Sequence, residues 1–246
     1  MFMDNVHIIS IEKTDSTNRF LHDYPQEKDV LMTVAVADYQ TAGRGQGTNC
    51  WESEAGKNLT FSIKVFPRGL RASRQFVMLE AEALAVAEAL SAYTDGITIK
   101  WPNDIYWHDR KISGTLSECT VSGSGVGYCI LGTGINVNQQ VFVSDAPNPV
   151  SLSQIVGHEV DRNTLLETIL YRFQGYLQTV NRGDYDKIDA LYFARLYRKT
   201  GQHAYQDAGG RFLAEVHAVE PDGHFVLRRE DGMLSRYAFK EVNFVI

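Results

Sequence analysis

Cysteine is scarce in this 246-residue chain: Cys50, Cys119 and Cys129 are the whole complement. Their spacing matches no metal-ligand set and an odd number cannot all pair, so reduced thiols in a cytosolic setting are predicted. No window approaches the length of a membrane span, and residues 1–7 lack the basic n-region and apolar run of a signal peptide. A cytoplasmic protein without a membrane partner is the expectation. Positive charge is also short, 24 Lys and Arg against 30 Asp and Glu for a formal net charge of -6. That balance argues against non-specific binding to nucleic acid and leaves, at most, a local cluster of cations for a small anion. Internal repeats and low-complexity segments are absent as well. The content that remains, 44% hydrophobic and 22% charged, is that of a globular chain forming one large domain or one with a small companion.

Periodicity then places the elements. Residues 6–11 read as a short strand, with Asp15, Ser16 or Thr17 as the cap of a helix through Leu21. Residues 31–39 alternate as a strand and 58–66 as a second one. Ser73 is placed as the cap of a long helix to about Tyr93, rich in alanine. A strand from Ile97 must be interrupted or ended by Pro102, 109–111 reads as a turn, and 112–121 and 127–137 as a hairpin joined at 122–125. The run 146–149 breaks the pattern. Two amphipathic helices follow, at about 163–180 and 185–197. Beyond Lys199, tight turns at 208–210, 221–223 and 231–232 predict a small β module of four or five strands.

Three clusters carry chemistry. Between two of the strands lies Gln40-Thr-Ala-Gly-Arg-Gly-Gln-Gly-Thr-Asn-Cys-Trp51. Its Gly43, Gly45 and Gly47 permit close approach of the backbone to a ligand, and Arg44 among them is a planar cation suited to phosphate or carboxylate. A glycine-rich connection with an exposed arginine is the plain reading of such a loop taken alone. Lys100-Trp-Pro-Asn-Asp104, with Lys111 further on, sets lysine, amide and carboxylate beside a rigid proline; a solvated hairpin is the alternative. Gly132-Thr-Gly-Ile-Asn136 puts two glycines inside a strand, where a backbone or ligand passing close by is a common cause. It is not a dinucleotide fingerprint, because the long helix that should follow is missing.

Taken together, Asp15-Ser-Thr-Asn18, the 40–45 segment with Trp51, Lys100-Trp-Pro-Asn-Asp104, Arg110-Lys-Ile-Ser-Gly114 with Glu118, and Gly132–Asn136 resemble, in order and spacing, the biotin protein ligases. The resemblance runs from about residue 10 to the C-terminus. It implies activation of biotin by ATP, with Mg²⁺, to biotinyl-adenylate, then transfer to one lysine of a biotin carboxyl carrier domain. By the same resemblance Arg44, Lys111 and Asp104 are catalytic. Ser16, Thr17, Asn18, Gln40, Gly43, Arg44, Gly45, Gln46, Lys111 and Gly114 contact biotin, the neutral ones offering the donors and acceptors that a neutral ureido ring requires. Arg44, Trp51, Asn103, Lys111 and Asn136 contact ATP, with Trp51 stacked on the base and the 40–51 loop as a lid. Asp104 is left with two roles, holding Mg²⁺ or orienting the acceptor amine. No resident metal site is read, and the seven histidines are scattered.

One departure matters. Many such ligases carry further arginines just after the glycine–arginine–glycine core, where this chain has Gln46-Gly-Thr-Asn49, so weaker retention of the adenylate is expected. The catalytic motifs begin within twenty residues, which suggests a monofunctional ligase without a DNA-binding module. The rival readings are a lipoate–protein ligase and a non-catalytic sensor of biotin or nucleotide. The fold implied is α+β, of the class II aminoacyl-tRNA synthetase-like kind. A mixed, mainly antiparallel sheet with packed helices is expected over residues 1–198 and an SH3-like β-barrel over 199–246, with a sheet-edge homodimer as an option.

Overall fold

Alternating segments and one wholly buried segment pair into a seven-stranded sheet. Its strands are β1 (Val6–Thr14), β2 (Met32–Gln40), β3 (Leu59–Val65), β4 (Ile97–Lys100), β5 (Asp104–Trp107), β6 (Arg110–Ser122) and β7 (Gly125–Ile135). The order is β1-β2-β3-β7-β6-β5-β4, parallel at β1–β2 and antiparallel at every other pair. The structure, a computed structural model, describes residues 5–246 except 26, 28, 48 and 144–147. Part of the pattern break at 146–149, and Thr48 of the glycine loop, therefore lie outside the described residues, as does most of the N-terminal heptapeptide.

All seven positions of β3 are buried, because both faces of the sheet are covered. On one face, Leu21 of α1 (Thr17–Asp23) packs on Ala35 and Ile130. The opposite face carries α2 (Phe76–Leu90), which is buried all round except at Phe76 and Glu88. Beyond α2 come the short α3 (Leu152–Val156), α4 (Arg162–Asn181) and α5 (Tyr185–Ala194). Sequence periodicity missed α3, which one turn of Ser151–Gln154 capping box starts. Ser73 does not cap α2. It sits in a single 3₁₀ turn, Ala72–Arg74, whose backbone bonds Arg74 N–H to Arg71 O (2.9 Å) and Gln75 N–H to Ala72 O (3.2 Å) do the work of a cap.

Five short strands follow: β8 (His203–Asp207), β9 (Gly210–Val219), β10 (Phe225–Arg229), β11 (Leu234–Tyr237) and β12 (Asn243–Phe244). Their order is β11-β10-β9-β8-β12. Pairing among the described residues leaves β11 and β12 as edges, so hydrogen bonds do not close the sheet into the barrel expected from sequence. Trp101 joins the two sheets. Its ring stacks on Phe225 at 4.9 Å and 12°, and its Nε1–H donates to the Gly223 carbonyl at 3.0 Å. One hydrophobic cluster accordingly runs from Val34 and Phe61 through Trp101 to Tyr205, Phe225 and Tyr237.

The expectation of reduced thiols is also corrected. Cys119 and Cys129 are bonded as a disulfide, and Cys50 is the free, exposed cysteine. The two-residue connection at 123–124 folds β7 back on β6 and sets Cys119 directly opposite Cys129, Cα to Cα 4.1 Å. Spacing alone hides such cross-strand neighbours.

Candidate active site

Strand alternation decides which side chains share the face under α1. In register across the sheet lie Ala35, Ser62, Gly132 and Leu116, and beside them Ala37, Thr60, Gly134 and Gly114. Small residues in both rows leave a trough. Asn18, from the first turn of α1, fills part of it: a β-carbon at Gly132 would collide with its Oδ1. The Ser62 hydroxyl lies 2.5 Å from that oxygen and 2.7 Å from the Thr17 hydroxyl. Thr17 donates to Gln40 Oε1 through its backbone N–H (2.8 Å) and its hydroxyl (3.1 Å). Ser16, Thr17 and Asn18 are all buried, so the N-terminus of α1 presents neutral donors and acceptors rather than charge. At the other end of α1 the buried Lys64 donates from Nζ to the carbonyls of Leu21 (2.9 Å) and Tyr24 (2.6 Å). It thereby satisfies the orphan acceptors of the last turn, while burial holds its pKa down.

The cationic end is built by β4, β5 and β6. Lys100 and Asp104 face each other across the turn at 101–103, which Tyr192 of α5 holds by donating to the Pro102 carbonyl at 2.8 Å. Between β5 and β6 the register shifts, with Ile105 opposite Ser113 but Tyr106 opposite Lys111. Ile112 is the extra residue of a bulge. Without it Lys111 would point away from Asp104; with it, Lys111 and Gly114 share the face of Asp104. Lys111 Nζ lies 2.5 Å from Asp104 Oδ1, and a β-carbon at Gly114 would stand 3.0 Å from that oxygen and 3.3 Å from Nζ. The glycine makes room for the ion pair. Lys100 Nζ sits over the rings of Phe244 (4.7 Å) and Tyr106 (5.4 Å). Burial lowers its pKa, Asp104 opposes that shift, and Lys111 and Arg198 add to it.

The glycine loop folds over this trough as a small hairpin. Gly45 N–H donates to Asn49 O (2.7 Å) and Trp51 N–H to Gly43 O (3.0 Å). Trp51 rests on β7 where Gly134 leaves space, since a β-carbon there would strike the indole, and Lys111 Nζ is 5.9 Å from its ring. Its Nε1–H has no partner among the described residues. Arg44 reaches Glu118 Oε2 at 3.0 Å, and Asn18 Nδ2 donates to the same oxygen at 2.6 Å. Both partners of the Arg44–Glu118 pair are about two-fifths exposed, 40% and 43%, so the pair is worth little and exchanges readily for a ligand anion. Asn103 Nδ2 donates to the Thr115 carbonyl (2.6 Å) and approaches Gln46 Oε1 (3.4 Å).

These groups line one cavity of about 1070 Å³. It collects Ser16, Thr17, Asn18, Gln40, Arg44, Gly45, Gln46, Trp51, Asn103, Asp104, Lys111, Gly114 and Asn136. Gly43 is not on its wall; a β-carbon there would lie 2.7 Å from the Trp51 carbonyl, so this glycine closes the hairpin. Sequence reasoning missed the contribution of the second sheet, Phe239, Lys240, Val242, Asn243, Phe244 and Ile246. No motif marked them, because they reach the cavity only once Trp101 has docked that sheet.

A match to the biotin/lipoate A/B protein ligase family spans residues 10–136, about half of the chain, from within β1 to Asn136. The chain belongs to that family. Among its curated relatives, the biotin–[acetyl-CoA-carboxylase] ligase of Paracoccus denitrificans is 30% identical over 207 residues, 80% of this chain and 84% of the relative. The bifunctional ligase/repressor BirA of Bacillus subtilis (strain 168) is 29% identical over 240 residues, 94% of this chain and 72% of the relative. Among solved structures, the biotin protein ligase from Aquifex aeolicus in complex with biotin and ATP aligns with a TM-score of 0.79. It is 24% identical and covers 97% of this chain and 99% of that one, a likeness that establishes the ligase fold.

Proposed function

We propose that this member of the family is a biotin protein ligase of the biotin–[acetyl-CoA-carboxylase] ligase type. It joins biotin and ATP to biotinyl-5′-AMP with release of pyrophosphate, then transfers biotin to a lysine of a biotin carboxyl carrier domain. The observation that carries the reading is the gathering, in one cavity, of neutral polar groups at α1 with two cations, Arg44 beside Asn18 and Lys111 beside Asp104. A ureido ring finds N–H and carbonyl partners in Asn18, Thr17, Gln40 and Ser16. A dithiolane ring has no such groups to offer, which favours biotin over lipoate. The names of the relatives point the same way.

In the first half-reaction the carboxylate oxygen attacks the α-phosphorus and the bond to pyrophosphate breaks. Two anions meet, so catalysis needs cations and aimed donors that offset charge as it builds. Arg44 and Lys111 supply them after exchanging Glu118 and Asp104 for phosphate oxygens. Mg²⁺ is expected to arrive with the nucleotide. One carboxylate plus substrate phosphates is an ordinary set for that ion, and Asp104, beside Lys111 on the cavity wall, would supply the carboxylate. In the second half-reaction Asp104 orients the neutral acceptor amine; its nitrogen attacks the acyl carbon, AMP leaves, and the proton that the nitrogen sheds passes to solvent. Trp51 stacks on the base beside Asn136. The 199–246 unit closes the cavity that the 1–198 unit builds, and a homodimer would add strands along the open edge at β1.

Biotin-dependent exchange of pyrophosphate into ATP tests the reading. Lys111→Ala should lower that exchange by about 10²–10³, the usual cost of one such group. Exchange within tenfold of wild type would refute the role of Lys111, and wild-type exchange that ignores biotin would refute the function.

A further inference from the structure

The cavity is short of free positive charge. Arg44 is paired with Glu118 and Lys111 with Asp104, while Lys100 is packed over Phe244 and Tyr106. The substrates proposed above are a carboxylate and a polyphosphate. Against them stands Lys240, an exposed lysine on the cavity wall, contributed by the segment between β11 and β12. Its side chain lies across the glycine loop at Gly47, where a β-carbon would collide with Nζ. Among the described residues no carboxylate pairs with it. The neighbouring Glu241 is engaged elsewhere, accepting from Ala238 N–H at 2.7 Å. Lys240 also has φ 70°, a left-handed conformation that a lysine adopts only under strain. A strained residue that puts an unpaired charge beside a ligand loop calls for a functional reason.

We propose that Lys240, supplied by the second sheet, is the cation that receives the polyphosphate of the nucleotide over the Gln46–Gly47 stretch. It takes the place of positive charge that the loop itself lacks after Arg44. The proposal rests on the reading of the chain as an ATP-using ligase. It gives the second sheet a direct part in nucleotide binding, through one side chain.

Lys240→Gly suits the backbone and removes the charge, Lys240→Gln removes the charge at similar length, and Lys240→Arg keeps it. In biotin-dependent pyrophosphate exchange, the Gly and Gln variants should raise KM for ATP about tenfold, the scale of one charge-assisted hydrogen bond. KM for biotin should stay within about twofold, and Arg should restore KM for ATP to within about threefold of wild type. Adding Gln46→Arg to Lys240→Gly should recover most of the loss. An unchanged KM for ATP in both neutral variants overturns the proposal, as does a rise confined to biotin or to the acceptor protein. If wild type shows no biotin-dependent exchange, the ligase reading fails. The lysine is then judged by equilibrium dialysis of ATP against wild type and Lys240→Gln, where equal affinities overturn it.

Discussion

Glu82 shows how a single residue ties the scaffold to the site. It lies on α2, fully buried, with Oε1 accepting from the Thr133 hydroxyl at 3.0 Å and Oε2 without a partner among the described residues. Burial pushes its pKa from 4.5 to about 8, and the threonine hydrogen bond only partly opposes this. Between those values the native carboxyl keeps its proton while the unfolded one has lost it. The native state then binds more protons, so stability falls as pH rises through that window and levels off above about 8. At about 1.4 kcal/mol per pH unit, the loss from pH 5 to pH 7.5 is on the order of 3 kcal/mol. Glu82→Gln keeps an acceptor for Thr133 and removes the titration. Urea unfolding at the two pH values should show wild type losing more stability than the variant by about that amount; parallel losses would contradict the assignment. The one sequence signal for Glu82 is its place on the apolar side of α2, three residues after Leu79 and four before Val86.

At the scale of elements, the motifs were legible but the reasons for their glycines were not. Alternation located β2, β3, β6 and β7, and Pro102 marked the turn that sets Lys100 against Asp104. The glycines of β7 were expected to admit a backbone or ligand. In the structure they admit Asn18 and Trp51, side chains more than eighty residues away in sequence, and only the strand register shows that. The bulge at Ile112, which turns Lys111 toward Asp104, leaves no mark in composition. Likewise the disulfide needed the hairpin register before Cys119 and Cys129 became neighbours. Gly134→Ala tests the close approach. It should displace Trp51 and raise KM for ATP about tenfold, the scale of one base stacked on an aromatic ring. KM for biotin should change less than about threefold. Equal effects on both substrates would mean that Trp51 does not serve the base.

Over the whole molecule, the second sheet is neither an appendage nor a separate core. Trp101, one residue from the cationic cluster, is its dock, and the same apolar cluster continues into Tyr205 and Phe225. A composition change after Lys199 was enough to reveal a β module, whereas its contact with the cavity depended on packing that no local pattern encodes. Calorimetry of wild type should therefore show one cooperative transition. Trp101→Ala should lower stability by about 3–5 kcal/mol, as for other large-to-small changes at buried aromatics, and a separate early transition for the second sheet would count against a shared core.

The proposed function has the cavity join biotin to ATP and pass biotin to a carrier lysine. The most direct measurement is mass spectrometry of a biotin carboxyl carrier domain incubated with the protein, ATP and Mg²⁺, in parallel with biotin or with lipoate. One added biotinyl group on a single lysine is expected, dependent on ATP and nearly abolished by Lys111→Ala, with no lipoyl adduct. Lipoylation in place of biotinylation, or no labelling with either acid, would contradict it.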